Sequence, residues 1–167
     1  MTIPDEVEIR PLRFHEIPKL LKFRSRNDYY ASGDMATVDS LLHFFLKAIW
    51  HRHRMRTFVA TREGALVGYL SLVLGRQRKQ RENIYIVSTA VSAENRGQGI
   101  GTLLFKELEN YAKLRAVKRI ELEVFSRNTG AIKLYKRLGY EIEGVKRHAV
   151  ESEDSYDDLV IMAKLLN

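Results

Sequence analysis

Along this chain the spacing of apolar residues switches between two periods, and each switch predicts a new element. Glu8 to Leu12 alternates, as an edge strand would. Phe14 to Arg24 changes to helical spacing, with Pro18 tolerable in the first turn. Arg26 to Asp34 is polar, contains a glycine, and predicts a loop. Val38 to Trp50 predicts a second helix, with Thr37 or Asp39 as its cap. Thr57 to Thr61 and Ala65 to Leu74 flank Arg62-Glu63-Gly64, which reads as a hairpin. Arg76 to Arg81 is a basic turn.

Ile84 to Val91 is rich in β-branched and aromatic residues and predicts a strand. Gly97 to Gly101 is a glycine loop, and a helix then runs to about Arg115, with Ile100, Leu104, Leu108 and Tyr111 on one face. Ile120 to Val124 is the next strand. Thr129 to Leu138 is a helix whose Ala131, Leu134, Tyr135 and Leu138 share a face. Asn128 stands where an N-cap belongs and Gly139 where a left-handed C-terminal residue belongs. Tyr140 to Glu143 and Leu159 to Leu165 close the sheet. The order is mixed α/β: strand, two helices, three strands, helix, strand, helix, two strands.

Neither a repeat nor a low-complexity linker interrupts the 167 residues, so residues 1–167 are expected to form one domain. Apolar residues make up 45% and charged residues 29%, within the range of soluble globular proteins. No apolar run is long enough to cross a bilayer, and Met1 to Val7 lacks a signal-peptide pattern. The expected location is cytoplasmic, with no membrane partner. With no cysteine, disulfides, thiolate catalysis and Cys-based zinc sites are excluded. The formal charge of +7 fits a nucleic-acid binder or an enzyme that holds a polyanionic cofactor, and does not choose between them.

Chemistry concentrates in Ser88-Thr89-Ala90-Val91-Ser92-Ala93-Glu94-Asn95-Arg96-Gly97-Gln98-Gly99-Ile100-Gly101, which runs strand, turn, glycines, helix. A helix start exposes unpaired N–H groups, and glycines let a bulky anion approach them. A dinucleotide fingerprint needs G-x-G-x-x-G and an acid after the next strand; here the spacing is G-x-G-x-G and the acid is not evident. A Walker loop needs Gly-Lys-Ser/Thr, which is absent. A tight turn without a ligand remains the plain alternative.

Arg96-x-x-Gly99-x-Gly101 resembles the Q/R-x-x-G-x-G/A signature of GNAT (GCN5-related) acetyltransferases. Asn128-Thr-Gly-Ala131-Ile-Lys-Leu134-Tyr135-Lys-Arg-Leu138-Gly139-Tyr140 is similar to the family's N-x-x-A-x-x-L-Y-x-x-L-G-F/Y segment. The resemblance covers Glu8 to Leu165, strongly from Ile84 to Tyr140. It implies a single mixed, mostly antiparallel central sheet flanked by helices, and an acetyl-CoA-dependent N-acetyltransferase. By the same resemblance the amides of Gly97, Gln98, Gly99, Ile100, Gly101 and Thr102 bind the coenzyme A pyrophosphate, with Arg96 beside them. The pantetheine arm lies along Thr89, Ala90 and Val91, where this strand and Ile120 to Val124 splay apart. The Val91 amide polarises the thioester carbonyl, Asn128 bonds the arm, and Tyr135 protonates the departing thiolate. Each has a simpler alternative: Asn128 as a helix cap, Tyr135 as core, Arg96 as a surface cation.

The amine nucleophile must shed a proton. The family's Glu/His position falls on Tyr85 here, a poor base at its ordinary pKa of about 10. Glu82, Glu121, Glu123, Asp157 and Asp158 are the other candidates, beside loss through ordered water. His51-Arg-His53 lies among arginines and His15, His43 and His148 are isolated, so no metal is expected. His51 to Arg56 and Arg76 to Arg81 lack aromatic interleaving, so nucleic acid is not the expected partner. Loops Arg26 to Asp34 and Arg147 to Asp157 are expected to border the acceptor with Tyr29, Tyr30, Asp34, Glu151, Glu153, Asp154 and Tyr156. That mixture favours a cationic amine: a protein N-terminus, a lysine side chain, or a small polyamine or amino compound. The last two strands resemble those of GNATs that acetylate protein N-termini or lysines, which puts that acceptor first. A non-catalytic coenzyme A-binding or nucleic-acid-binding module is the rival class. Monomer and homodimer both fit the sequence.

Overall fold

The structure, a computed structural model, describes residues 7–27, 54–75, 82–152 and 155–167. The expected helix Val38 to Trp50, the basic turn Arg76 to Arg81 and most of the loop Arg26 to Asp34 lie outside the described residues. Strand order across the seven-stranded sheet is β1-β2-β3-β4-β5-β7-β6. The chain groups into two compact units. One is Met1–Val73 with Val87–Glu109; the other is Leu74–Ile86 with Asn110–Asn167.

The first unit begins with β1 (Val7–Pro11), a short 3-10 turn (Phe14–Glu16) and α1 (Ile17–Asn27), in whose first turn Pro18 sits as expected. Arg10 on β1 grips the Glu16 carboxylate with both Nη atoms, at 2.8 and 2.7 Å, while the Arg13 amide donates to the same group at 3.0 Å. That bidentate pair fixes where α1 starts. Strands β2 (Met55–Arg62) and β3 (Ala65–Leu74) form the expected hairpin, closing at the Arg62–Ala65 pair, and β1 runs antiparallel to β2. Leu20 and Phe23 of α1 bury against Val59 and Tyr69, with Leu12, Leu66 and Ala90 packed around them. The Phe23 ring meets Tyr69 edge-on, centroids 6.1 Å apart.

Gly68 explains how the central helix comes so close to β3. A Cβ there would lie 3.2 Å from the Ala90 carbonyl oxygen and 3.4 Å from Ile100 Cγ2 and Leu104 Cδ1. Helix α2 (Ile100–Lys113) buries Ile100, Leu104 and Leu108 as the spacing predicted, with Phe105 and Ala112 beside them, while Tyr111, expected on the same face, is half-buried.

In the second unit the first part of β4 (Asn83–Val91) runs parallel to β5 (Arg119–Phe125), pairing Asn83–Ile86 with Arg119–Leu122. Strand β5 pairs antiparallel with β7 (Ser155–Leu165), which pairs antiparallel with β6 (Glu141–Ser152). Alternation in β5 buries Ile120, Leu122 and Val124 and leaves Arg119, Glu121 and Glu123 on the other face. Between β5 and β6 lies α3 (Thr129–Arg137).

The last hairpin corrects the sequence expectation. Arg147 to Asp157 is not a loop: β6 continues to Ser152 and β7 starts at Ser155. A bulge between Lys146 and Val150 interrupts the ladder. At the bulge His148 takes a positive φ of 50°, its amide donates to Asp158 Oδ1 at 2.8 Å, and its ring stacks on Tyr156 at 5.4 Å.

Candidate active site

The glycine segment follows β4 through a short 3-10 turn (Ala93–Asn95) and enters α2 at Ile100. Gly97 and Gly99 hold φ of 74° and 81°, a left-handed conformation that any other residue would adopt at a cost of about 1–2 kcal/mol. A Cβ on either would meet nothing within 4 Å, so both open onto empty space. The first helical bond is donated by the Leu103 amide to the Gly99 carbonyl, at 3.1 Å. Among the described residues the amides of Gly97 through Thr102 donate no backbone hydrogen bond. Those of Gly99 to Thr102 are the four orphan donors of the helix start, Gly97 and Gln98 precede them in the loop, and the helix dipole makes the same place favourable for an anion. The Ile100 side chain is core, so only its amide is available here.

Side chains hold this loop in shape. The Ser92 amide donates to the Val67 carbonyl at 3.0 Å, which fastens the end of β4 to β3. Successive N–H groups of a strand point to opposite sides, so the Val91 amide faces away from β3. The Val91 carbonyl lies on that same side and accepts from Arg96 Nε at 3.1 Å. Arg96 therefore braces the strand end with one nitrogen, while the residue itself is exposed. Thr89 turns its hydroxyl to the Tyr69 carbonyl at 2.9 Å, and Ala90 packs on the apolar cluster. Sequence reasoning missed Arg62, the last residue of β2. Its Nη1 donates to Asn95 Oδ1 and its Nη2 to Gln98 Oε1, both at 2.8 Å.

Asn128 and Tyr135 lie on the second unit. Asn128 caps α3: its Oδ1 accepts from the Ala131 amide at 3.2 Å. The capping alternative is thus real, and it uses only one end of the carboxamide. At the other end of α3 the Gly139 amide bonds the Lys136 carbonyl and the Tyr140 amide bonds the Tyr135 carbonyl, each at 3.0 Å. This pair of bonds is a Schellman motif, with Gly139 at φ 85°. It brings Tyr140 back against Tyr135, rings 6.1 Å apart, and both tyrosines are buried. Tyr135 is therefore core by burial, as its apolar face implied.

The carboxylates weighed as bases are mostly committed. Glu121 accepts from Arg119 Nε at 3.0 Å and Glu123 from Lys146 Nζ at 2.6 Å. Asp157 pairs with Arg127 at 2.7 Å, and Asp158 holds the His148 amide. The Arg119 guanidinium also grips Glu143 and holds its carboxyl below the usual range. Glu82 is exposed in the turn before β4, and Tyr85 is half-buried on β4. Among the described residues no three His, Cys, Asp or Glu side chains cluster as metal ligands. His51, His53, Tyr29, Tyr30, Asp34, Glu153 and Asp154 lie outside the described residues.

The acetyltransferase (GNAT) family model matches residues 20–140. The chain belongs to the GNAT family. This GNAT chain is 30% identical over 127 residues to an L-amino acid N-acetyltransferase of Escherichia coli, covering 74% of this chain and 76% of that one. A solved ribosomal-protein-alanine N-acetyltransferase from Brucella melitensis superposes with a TM-score of 0.80 at 26% identity, covering 95% and 99% of the two chains. A phosphinothricin acetyltransferase from Sinorhizobium meliloti, solved in complex with acetyl-CoA, shares the fold with a TM-score of 0.82 at 21% identity, covering 96% and 89%. The expected fold, a mixed sheet flanked by helices, and the expected enzyme class, an N-acetyltransferase, both stand. Among the described residues no helix is long and apolar enough to cross a membrane.

Proposed function

We propose that this GNAT N-acetyltransferase moves the acetyl group of acetyl-CoA to a primary amine, with a protein N-terminus or lysine preferred. The observation that carries the cofactor reading is the open row of amides from Gly97 to Thr102 at the start of a long helix. A diphosphate supplies the acceptors those donors lack, and the dipole adds to the attraction. Arg96 bonds the strand end through Nε, and its Nη atoms are the proposed further donors to the same anion. The reading includes a single domain over residues 1–167 and a cytoplasmic location.

When bound, acetyl-CoA supplies the activated acyl carbon; the chain supplies position, charge stabilisation and proton handling. The Val91 amide, on the strand side away from β3, is the proposed donor to the developing oxyanion. The Asn128 amide nitrogen is the proposed donor to the pantetheine arm, since its oxygen is occupied by the cap. The Tyr135 hydroxyl is the proposed proton source for the thiolate. The ammonium first loses a proton to solvent; the neutral nitrogen then bonds the acyl carbon, the carbon–sulfur bond breaks, Tyr135 protonates the thiolate, and the second proton shed by the nitrogen returns through solvent to the tyrosinate. The engagement of Glu121, Glu123, Asp157 and Asp158 in other bonds favours removal of that proton through water over removal by one strong base.

The acceptor preference draws its support from a solved neighbour named for a ribosomal protein alanine, while a relative named for L-amino acids supports the alternative. Small amines and amino compounds remain the alternative acceptors. The test is thiol release from acetyl-CoA in the presence of peptides with different N-termini, lysine peptides, free amino acids and polyamines. Turnover with N-terminal or lysine peptides is expected. Turnover with none of the amines overturns the enzyme reading; turnover only with amino acids or polyamines overturns the acceptor preference.

A further inference from the structure

We infer that Arg62 is a positioning residue for the phosphate-binding loop, and so sets the affinity for the cofactor without touching it; this rests on the cofactor reading proposed above. The distance in sequence is large. Arg62 is 33 residues from Asn95 and 36 from Gln98, yet its guanidinium donates to both side-chain oxygens at 2.8 Å. Each amide passes the constraint on. Asn95 Nδ2 donates to Ser92 Oγ at 2.9 Å, and Gln98 Nε2 donates to the Glu94 carbonyl at 3.1 Å. One planar fork therefore fixes two carboxamides, and these fix the turn from Ser92 to Gln98.

The placement of Gln98 gives the clamp its consequence. Gln98 stands between Gly97 and Gly99, the two positive-φ residues that open the backbone to an anion. Drawing its side chain to Arg62 keeps that chain off the open amide row and holds the backbone between the glycines in one orientation. Arg62 is itself well anchored, since it pairs with Val7 on β1 and with Ala65 across the hairpin. Its Nε is buried without a hydrogen-bond partner, so the head is directed by the two Nη bonds alone. A loop held ready loses less freedom when a ligand arrives, and that saving appears as affinity. The fork geometry is specific to arginine, because an ammonium on a flexible stem does not present two fixed, parallel donors.

The test compares wild type with Arg62→Ala, Arg62→Lys and Gln98→Ala by calorimetric titration with coenzyme A and by steady-state kinetics. Arg62→Ala is expected to weaken coenzyme A binding about tenfold, the factor that corresponds to 1.4 kcal/mol. Arg62→Lys is expected to recover less than half of that loss, and the KM for the amine is expected to stay unchanged in all variants. Gln98→Ala keeps Arg62 and its strand pairing, so it reports on the clamp even where Arg62→Ala folds poorly. It is expected to weaken coenzyme A binding as well, and adding it to Arg62→Ala is expected to cost little more. Wild-type affinity in Arg62→Ala or Gln98→Ala, whatever the melting temperature does, overturns the inference alone. A wild-type protein with no affinity for coenzyme A overturns the cofactor reading and the inference together.

Discussion

The cap that Asn128 makes and the cofactor contact proposed for it fall on opposite ends of one carboxamide, and a single oxygen-for-nitrogen exchange separates them. Its Oδ1 accepts the Ala131 amide at 3.2 Å, while among the described residues its Nδ2 has no hydrogen-bond partner. Asn128→Asp keeps an oxygen in the capping position, and aspartate caps as well as asparagine does. The added charge also sits at a helix start, where it is favourable. Asn128→Asp is therefore expected to melt no lower than wild type. Asn128→Ala loses the cap, worth about 1 kcal/mol, or roughly 2–4 °C in a chain of this size. Binding divides the two variants differently. The cofactor reading asks Nδ2 for one hydrogen bond, so both variants lose about 0.5–1.5 kcal/mol, or about two- to tenfold in the Kd for acetyl-CoA. Titration calorimetry beside differential scanning calorimetry reads both quantities. Repeating the titration in 1 M salt, where charges are screened beyond about 3 Å, separates a lost bond from repulsion between the new carboxylate and the cofactor phosphates. An Asn128→Asp protein with wild-type affinity refutes the pantetheine role and leaves Asn128 as a helix cap.

Gly99→Glu is expected to abolish cofactor binding, because it places a carboxylate in the amide row at a residue whose φ is 81°; retained acetyl-CoA affinity in a folded variant contradicts the site. Tyr135→Phe is expected to lower kcat about a hundredfold, the low end of general-acid contributions, with the cofactor's KM little changed. An unchanged kcat assigns the thiolate's proton to water. Glu16 has its carboxyl held at about 2, chiefly by the hydrogen bonds from Arg10, below the ordinary 4.5. Its stabilising share is fully present above the unfolded value and fades as pH falls toward 2. Melting curves for wild type and Glu16→Gln are accordingly expected to differ by a constant amount above pH 5 and to converge between pH 4.5 and 2. A gap that persists at pH 2 shows that Glu16 acts through shape and not through charge.

Most elements were legible because burial wrote them into the sequence. Ile120, Leu122 and Val124 alternate since one face of β5 is core, and Asn128 and Gly139 bracket α3 because its ends need a cap and a left-handed exit. The last hairpin was not legible for the same reason. Nearly every residue of β6 from Glu141 to Glu151 is exposed, so no apolar alternation marks it, and a charged edge strand looks like a loop. Edge charge also protects such a strand from pairing with another chain, which makes the missing signal a consequence of the fold. Arg62 was hidden differently. In sequence it is one cation in a hairpin turn, and nothing near it points to Asn95 or Gln98; only strand pairing brings the three together. The carboxylates show the reverse. Glu121 and Glu123 stood out as candidate bases, and their partners Arg119 and Lys146 become visible only in the folded sheet.

Arg96 links the two halves of the proposed chemistry. The resemblance placed it beside the pyrophosphate, and the structure adds a bond from its Nε to the Val91 carbonyl. That carbonyl belongs to the residue whose amide is proposed to meet the oxyanion. A guanidinium shared between strand end and loop ties the place proposed to receive phosphate charge to the place proposed for the oxyanion. Neutralising one peptide oxygen beside a forming oxyanion also removes a repulsive dipole from its neighbourhood. At position 96 of this chain a lysine would still reach an anion, but it would offer no second, fixed direction toward the strand.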